Sequence, residues 1–186
     1  SQLVNASSGM HPRFSPYYIR RVRISATDPL FKMLKDQGVP YKPEVGQIEP
    51  TANTYVLEFP IKSPDGAITS NELTATDQLE HWKMVKENYT EHNPSQTVYV
   101  GEDEWLDIGA WVWRNWDMIG GLSFLPKTNH VYELAPYTEI TETQYNKLVK
   151  EMPKIDFSLL QNYEKEDNTI GAKEVACGGS GTCEIL

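Results

Sequence analysis

The chain has 186 residues and a formal net charge of -9, with 39% hydrophobic and 23% charged residues. This composition is typical of a globular domain rather than of a disordered segment. The acidic balance argues against a general affinity for nucleic acid, whose phosphates require a basic surface, and against adsorption to an anionic membrane. No apolar run approaches the roughly 20 residues that span a bilayer, and the first residues lack the features of a signal peptide. We therefore expect a cytoplasmic protein with no nucleic-acid or membrane partner.

The first half of the chain predicts two strands, a helix and a turn. Residues 17–24 are rich in aromatic, branched and arginine side chains, as in a strand with two partly polar faces. Residues 28–37 predict a short helix with an aspartate cap, a proline at its first position and a glycine at its end. Three prolines then predict a loop. Residues 54–62 alternate as a strand does, Pro60 places them at a sheet edge or a strand end, and residues 63–66 predict a turn.

The second half predicts alternating helices and strands, with helices over 76–89, 102–119 and 141–153 and strands over 95–100 and 122–126. The helix over residues 102–119 has the strongest pattern, with acidic residues in its first turn and two glycines at its close. The strand after it is short and apolar, which indicates a buried strand. A capping box, Thr-Glu-Thr-Gln, opens the last helix. Helices placed between strands in this way favour an α/β fold with parallel strand pairing.

Charged residues and then glycines dominate the end of the chain. From Asp156 onward a charged run is followed by four glycines, a composition typical of a tether. We therefore divide the chain into a folded part, residues 1–155, and a flexible tail, residues 156–186. The helix that stops near Pro153 is expected to be the last ordered element.

The chain has only two cysteines, Cys177 and Cys183, and both lie within ten residues of its end. A secreted disulfide-rich protein spreads its cysteines through the fold, and two thiols alone cannot fill a four-ligand structural zinc site. The residues between them are small and flexible, so the thiols can close into a disulfide that is easily reduced. This pattern favours a redox shuttle over a pair of incidental surface thiols.

Several segments together carry a family resemblance. They are SQLVNASSGMHPR at residues 1–13, YYIRRVR at 17–23, EHNPS at 91–95, GGLSFLP at 120–126, APY at 135–137, and the terminal cysteine pair. In this order they resemble the carboxy-terminal part of the large, catalytic subunit of ribonucleotide reductases. The resemblance is greatest to the adenosylcobalamin-dependent (class II) ribonucleoside-triphosphate reductases.

The resemblance implies that residues 1–155 are the carboxy-terminal portion of a ten-stranded α/β barrel and that residues 156–186 are its redox tail. In this family a thiyl radical on a finger-loop cysteine abstracts the substrate's 3′-hydrogen. Two barrel cysteines then reduce the 2′-carbon and form a disulfide, which the terminal pair reduces. The implied cofactor is adenosylcobalamin, the implied substrate is a ribonucleoside triphosphate, and the implied reductant is thioredoxin-like.

This chain holds only part of that machinery. No cysteine precedes Cys177, so the thiyl cysteine, its glutamate motif and the barrel cysteines are expected on an amino-terminal part of the same reductase. The resemblance therefore carries over only Cys177 and Cys183 as catalytic residues, with no metal site and no assigned cofactor ligands. Five residues separate the two cysteines, whereas family members commonly have four. A flexible linker tolerates that difference.

The chain begins inside the family's phosphate-binding turn, which reads approximately Pro-Ser-Gly-Thr-Val-Ser-Gln and of which Ser1 and Gln2 are the last two residues. Most of the phosphate site is therefore expected on the amino-terminal part. An intein junction, a split gene or a deliberate cut would each place the first residue here.

Two alternatives stay open. One is the large subunit of a reductase whose radical arrives from a separate metal-bearing subunit. Adjacent tyrosines would then be expected in the strand after the long helix, whereas residues 122–125 read Leu-Ser-Phe-Leu. The other is a stand-alone interaction domain with a redox-sensing tail, in which Trp105, Trp111, Trp113 and Trp116 form a partner groove. At helical spacing such tryptophans are more often core.

Overall fold

The computed structural model describes residues 9–127 and 133–165, and the chain divides into two compact units. Unit 1 contains residues 1–16 and 62–131, and unit 2 contains residues 17–61 and 132–186. Helices and strands are interspersed along the described part of the chain, so the predicted mixture of both types is confirmed. Among the described residues, no helix is both long enough and apolar enough to cross a membrane.

Unit 2 is built on a four-stranded sheet. Its strands are β1 (Tyr17–Ser25), β2 (Tyr41–Pro43), β3 (Thr54–Lys62) and β6 (Tyr137–Glu139), in the order β2-β3-β1-β6. The β1–β6 and β2–β3 pairs are antiparallel. β3 is therefore an inner strand, and Pro60 lies near its carboxyl end, beyond the residues that pair with β2. The three-residue strands β2 and β6 were not predicted, since segments this short show no periodicity.

Helix α1 (Pro29–Asp36) covers the core of unit 2. The Asp28 side chain accepts a hydrogen bond from the backbone N–H of Leu30 at 2.8 Å, and the chain leaves the helix through Gly38 at a φ of 83°. The ring of Phe31 stacks on that of Tyr55 with centroids 4.5 Å apart. Burial of a side chain like Phe31 stabilises the folded state by about 1.5–3 kcal/mol. The predicted helix, its cap and its end are confirmed.

Unit 2 continues past the predicted end of order. Helix α4 (Glu142–Glu151) opens with the predicted capping box, in which Thr141 and Gln144 bond reciprocally. The chain then forms a 3₁₀ helix, Phe157–Asn162. The expectation that the element near Pro153 is the last ordered one is therefore wrong. The side chains of Leu160 and Tyr163, which lie beyond it, pack against the hydrophobic core of unit 2.

Unit 1 contains helices α2 (Ala75–Asn88) and α3 (Trp105–Arg114) and strands β4 (Gln96–Val100) and β5 (Leu122–Pro126). The two strands are parallel, with Val98 opposite Phe124. One face of this pair and the two helices enclose a core that includes Leu79, Trp82, Val98, Val100, Ile108 and Trp111. Parallel pairing, predicted for the whole fold, is confirmed here, whereas the strand pairs described above in unit 2 are antiparallel.

The long helix predicted over residues 102–119 is shorter. α3 ends at Arg114, and its cap residue Asn115 has a non-helical φ of -113° and ψ of 19°, with its side-chain amide donating to the Trp111 carbonyl at 2.9 Å. A separate 3₁₀ turn follows at Trp116–Met118. The expectation that β5 is buried is also wrong, since Leu125 is 49% exposed. Only one face of this strand is covered.

Candidate functional site

The two predicted catalytic residues, Cys177 and Cys183, lie outside the described residues. The structure does describe the segment from which they extend, residues 152–165. Within it the side chains of Met152, Ile155, Leu160 and Tyr163 pack against the hydrophobic core of unit 2. We call residues 156–163 the arm base.

Hydrogen bonds hold the arm base to the carboxyl end of α1. The backbone N–H of Asp156 donates to Oε1 of Gln37 at 2.7 Å, and Nε2 of Gln37 donates to the Asp156 carbonyl at 3.2 Å. The phenol of Tyr163 donates to Asp36 at 2.9 Å, and this bond raises the pKa of the phenol. Asp156 also accepts from Ser158, whose hydroxyl and backbone N–H lower the pKa of the aspartate carboxyl. The arm base is thus fixed by main-chain and side-chain bonds together.

The second candidate is a cavity of about 520 Å³ in unit 1. It is lined by Gly9, Met10, His11, Pro12, Arg13, Pro64, Gly66, Ala67, Ile68, Leu73, Asp77 and His81. Its volume lies within the range of small-molecule pockets, about 300–1,000 Å³. The first five lining residues end the longest segment of the family resemblance.

Backbone pairing fixes one wall of this cavity. The N–H of Arg13 donates to the Ile68 carbonyl at 2.9 Å, and the Arg13 carbonyl accepts from Ser70 at 2.7 Å. A turn forms over residues 64–67, one residue later than the predicted 63–66, with the N–H of Ala67 bonded to the Pro64 carbonyl and Gly66 at a φ of 76°. A positive φ there favours glycine, so the predicted role of Gly66 is confirmed, whereas Pro64 is the first residue of the turn and does not preset its second position.

The polar lining of the cavity is mixed in charge. Arg13 is 5% exposed, and a guanidinium stays charged even when buried. His11 and His81 add two imidazoles. Asp77 adds a carboxylate whose pKa is lowered by hydrogen bonds from the Thr74 hydroxyl and backbone N–H. Such a lining, beside apolar residues such as Met10, can hold a ligand that has an anionic group and an apolar body.

Sequence reasoning missed this site because its members come from separate elements. Arg13 belongs to the amino-terminal segment, whereas Asp77 and His81 lie one turn apart on α2. The helical spacing of Asp77 and His81 could have shown a shared face, but no local pattern connects them to Arg13.

Two other resemblance segments meet at the end of the β4–β5 pair. The N–H of Gly121 donates to Oδ1 of Asn93 at 3.0 Å. A Cβ atom on Gly120 would lie 2.8 Å from the same oxygen, so a larger residue would displace this contact. The glycines that characterise this segment therefore serve close packing.

In unit 2 the remaining two segments also meet. The N–H of Arg21 donates to the Pro136 carbonyl at 2.9 Å, and the Arg21 guanidinium donates to the Ala135 carbonyl at 2.8 Å and to Glu58 at 2.8 Å. The Arg20 guanidinium lies 4.7 Å from the centre of the Tyr137 ring. These residues form the β1–β6 seam, so their role is structural.

Adenosylcobalamin, the cofactor implied by the resemblance, does not fit the described cavity. A volume near 520 Å³ suits a drug-sized molecule, and a corrinoid with its nucleotide and adenosyl groups is several times larger. Among residues 9–127 and 133–165, no cluster of three or more histidine, cysteine or acidic side chains is positioned to bind a metal ion. This part of the chain does not enclose the cofactor by itself.

The comparisons with known proteins agree with the resemblance. No family model matches the sequence. A probable adenosylcobalamin-dependent ribonucleoside-triphosphate reductase from Dictyostelium discoideum is 33% identical over 168 residues, which are 87% of this chain and 21% of that protein. The adenosylcobalamin-dependent ribonucleoside-triphosphate reductase of Euglena gracilis is 28% identical over 86% of this chain and 22% of its own length.

A solved structure supports the fold. The crystal structure of a B-12 dependent (class II) ribonucleotide reductase matches 87% of this chain and 22% of that chain, with a TM-score of 0.69 and 22% identity. The similarity extends over most of this chain, but the chain spans only about a fifth to a quarter of the length of its relatives. By sequence, this chain belongs to the family of adenosylcobalamin-dependent ribonucleoside-triphosphate reductases and corresponds to one segment of its members.

Proposed function

We propose that this chain is the carboxy-terminal part of a ribonucleoside-triphosphate reductase, which makes deoxyribonucleotides by thiyl-radical removal of the 2′-hydroxyl. The observation that carries the proposal is similarity over 87% of the chain to reductases of which it spans only about a fifth. Activity then needs the amino-terminal part that holds the thiyl and barrel cysteines. A cytoplasmic location fits such a reductase.

The chemistry proposed for this chain begins after the nucleotide has been reduced, at the barrel disulfide. The thiolate of Cys177 or Cys183 attacks that disulfide and forms a mixed disulfide, and one barrel thiol leaves. The second cysteine of the pair then attacks the mixed disulfide. Both barrel thiols are restored, and the pair is oxidised to a disulfide by two electrons. A thioredoxin-like dithiol returns those two electrons and is itself oxidised.

The cofactor belongs to the rest of the reductase in this proposal. Adenosylcobalamin, after which the relatives are named, supplies the radical when it is bound. This source is favoured over a separate metal-bearing subunit because the relatives described above are adenosylcobalamin-dependent. On β5 the positions after Leu122 are Ser123 and Phe124, which also offer no phenol for a radical relay.

We further propose that the cavity of unit 1 receives phosphate groups of the triphosphate substrate. Arg13 supplies a fixed positive charge, and the segment that contains it adjoins the phosphate-binding turn of the family. Replacing Arg13 by glutamine should raise KM for the triphosphate at least tenfold and change kcat much less. A fall in kcat with unchanged KM would contradict this role.

Complementation tests the whole proposal. The isolated chain should show no nucleotide reduction, because no cysteine precedes Cys177. Mixing it with the amino-terminal part of a related reductase, adenosylcobalamin and a ribonucleoside triphosphate should produce the deoxynucleotide. Turnover by the isolated chain, or a mixture that is inactive although the two parts bind, would overturn it.

One observation from the structure bears on the alternative of a stand-alone interaction domain. Trp111 is buried, but Trp113 is 81% exposed and Leu106 is 89% exposed on α3. A stand-alone module would keep this surface for a partner and stay monomeric in solution. A part of a larger barrel would instead self-associate through it until the remaining part is added.

A further inference from the structure

Helix α3 is apolar on both of its faces. Its inner face supplies Ile108 and Trp111 to the core of unit 1. The exposed positions opposite these two residues form an uncharged row, which we call the outer stripe and which consists of Leu106, Gly109, Ala110 and Trp113. A surface helix normally has charged or polar residues on its outward face, whereas a helix that is apolar all round is buried in a larger structure. The outer stripe is therefore a surface that a further element covers.

We propose that an α-helix from the amino-terminal part of the reductase packs lengthwise on the outer stripe. This inference rests on the proposed function, and it names the surface at which that part meets this chain. The length of the relatives favours this occupant, because this chain spans 21% of the Dictyostelium discoideum protein and most of that protein lies outside the matched segment. A helix that packed only on the strands of a barrel would keep a polar outer face, so the outer stripe indicates a further layer outside α3.

The spacing of the outer stripe fits a helix. Leu106, Gly109 and Trp113 follow a three-then-four spacing, which is the pattern of helices that pack along one another at a shallow angle of about 20°. Gly109 and Ala110 leave a notch between the two large side chains, and a Cβ atom on Gly109 would meet no heavy atom within 4 Å. A bulky apolar side chain of the partner helix can enter this notch. The two helix axes then lie at the usual packing distance of about 8–10 Å.

The two edges of the outer stripe differ in charge. Asp107 and Arg114 lie along one edge, seven residues apart, whereas Trp105 is exposed along the other edge. A partner helix with a basic residue facing Asp107 and an acidic residue facing Arg114 would complement the charged edge. A membrane surface is disfavoured as the cover, because Arg114 is the one basic residue in the sequence of α3 and the chain has a net charge of -9.

The test measures the affinity of this chain for the amino-terminal part of a related reductase. The variant Gly109→Leu fills the notch. In the free chain the new side chain extends into open space, so circular dichroism should show the helix content of the parent. In the complex it should collide with the partner helix and raise Kd at least about tenfold, since overpacking a close contact is unfavourable. The matched control is Glu87→Leu, which adds the same side chain at an exposed position of α2 and should bind as the parent does.

Footprinting with hydroxyl radicals is a second measurement that needs no variant. Trp113 is exposed, so mass analysis should find it readily oxidised in the free chain. In the complex its oxidation should fall several-fold, because a large side chain at the centre of an interface is removed from solvent. The rival occupant is a second copy of this chain, since two antiparallel α3 helices would also place Asp107 opposite Arg114. Protection of Trp113 in the free chain that disappears on dilution, and that the amino-terminal part does not restore, would identify that occupant and overturn the inference.

The remaining outcomes separate this inference from the proposed function. If the parent chain forms an active complex, equal affinity of the parent and Gly109→Leu would overturn the inference alone. Equal oxidation of Trp113 in the free chain and in that complex would do the same. If the parent chain does not bind the amino-terminal part at all, the proposed function and the inference fail together.

Discussion

The two units differ in how completely their sheets are covered. In unit 2 the inner strand β3 has four consecutive buried residues, from Thr54 to Leu57, so both of its faces are packed there. In unit 1 the parallel pair β4–β5 is packed on the side of α2 and α3, whereas Tyr99 and Leu125 on the opposite face are 37% and 49% exposed. Parallel strands in folded proteins are normally covered on both faces.

Under the proposed function, this difference indicates which unit depends more on the rest of the reductase. In the proposed barrel, further strands and helices of the reductase would cover the open face of this two-stranded sheet. The exposed tryptophans of unit 1, Trp113 and Trp116, point to the same dependence. Unit 2, with its closed aromatic core, holds the arm base and needs less support.

The largest expected effect is the difference in stability between replacing a core tryptophan of unit 1 and replacing an exposed one. Trp82 is fully buried, and its indole N–H donates to the Pro94 carbonyl at 2.6 Å, so Trp82→Ala should destabilise unit 1 by about 3–5 kcal/mol. Trp113→Ala should change the stability of the isolated chain by less than about 0.5 kcal/mol. Urea denaturation followed by tryptophan fluorescence measures both.

The same two substitutions, at Trp82 and Trp113, distinguish an effect on folding from an effect on association. If the exposed surface of α3 contacts the rest of the reductase, Trp113→Ala should weaken binding of the amino-terminal part by about 2 kcal/mol, close to 30-fold in Kd. Calorimetric titration would show it. Unchanged affinity would mean that this surface serves another partner.

A medium effect is expected from the two capping boxes, which share a threonine cap and differ in its partner, Asp77 in α2 and Gln144 in α4. Thr74 caps α2 in unit 1, and Thr141 caps α4 in unit 2. Loss of a threonine cap costs about 0.5–2 kcal/mol. Thr74→Ala should lie near the upper end because α2 supplies Leu79 and Trp82 to a core, whereas α4 has no buried residues. Equal losses would show that α4 contributes more to unit 2 than its exposure indicates.

The smallest effect concerns the pH dependence of unit 2. Burial alone would raise the pKa of Glu58, but hydrogen bonds from Arg21 and Lys42 more than offset it, so the pKa of the carboxyl lies below its ordinary value. A lowered native pKa adds stability above the unfolded pKa, near 4.5, and this stability is lost as the pH falls through the native pKa.

The variant Glu58→Gln removes the titrating group and keeps the size of the side chain. Its stability should therefore fall less than that of the parent between neutral pH and pH 3. Urea titrations at several pH values, followed by a probe in unit 2, measure the difference. Parallel pH profiles for the two proteins would contradict the assignment.

The sequence predicted the elements whose local pattern is complete. The cap of α1, the glycine of the turn at residues 64–67 and the capping box of α4 each depend on neighbouring residues, and the structure confirms them. β2 and β6 have three residues each and exist because β3 and β1 offer them a partner edge. A local sequence pattern cannot predict strands that depend on such non-local pairing.

The two candidate sites also combine a part that the local sequence predicts with a part that only the folded chain shows. The paired cysteines are adjacent enough in sequence to predict a redox arm, which stays a prediction. The arm base is held by bonds between Gln37 and Asp156, 119 residues apart, which only the folded chain shows. The cavity around Arg13 likewise needs α2 to bring Asp77 and His81 to it.

The measurement that tests the central claim most directly is turnover by the completed reductase with Cys177→Ser or Cys183→Ser. The first deoxynucleotide should form at nearly the parent rate, because the barrel thiols are already reduced. Later turnovers with a protein dithiol should nearly stop for either variant, since a mixed disulfide needs the second cysteine to resolve it. Dithiothreitol should restore much of the rate by reaching the barrel disulfide itself. Loss of the first turnover, or full multiple turnover with the protein dithiol, would contradict the account.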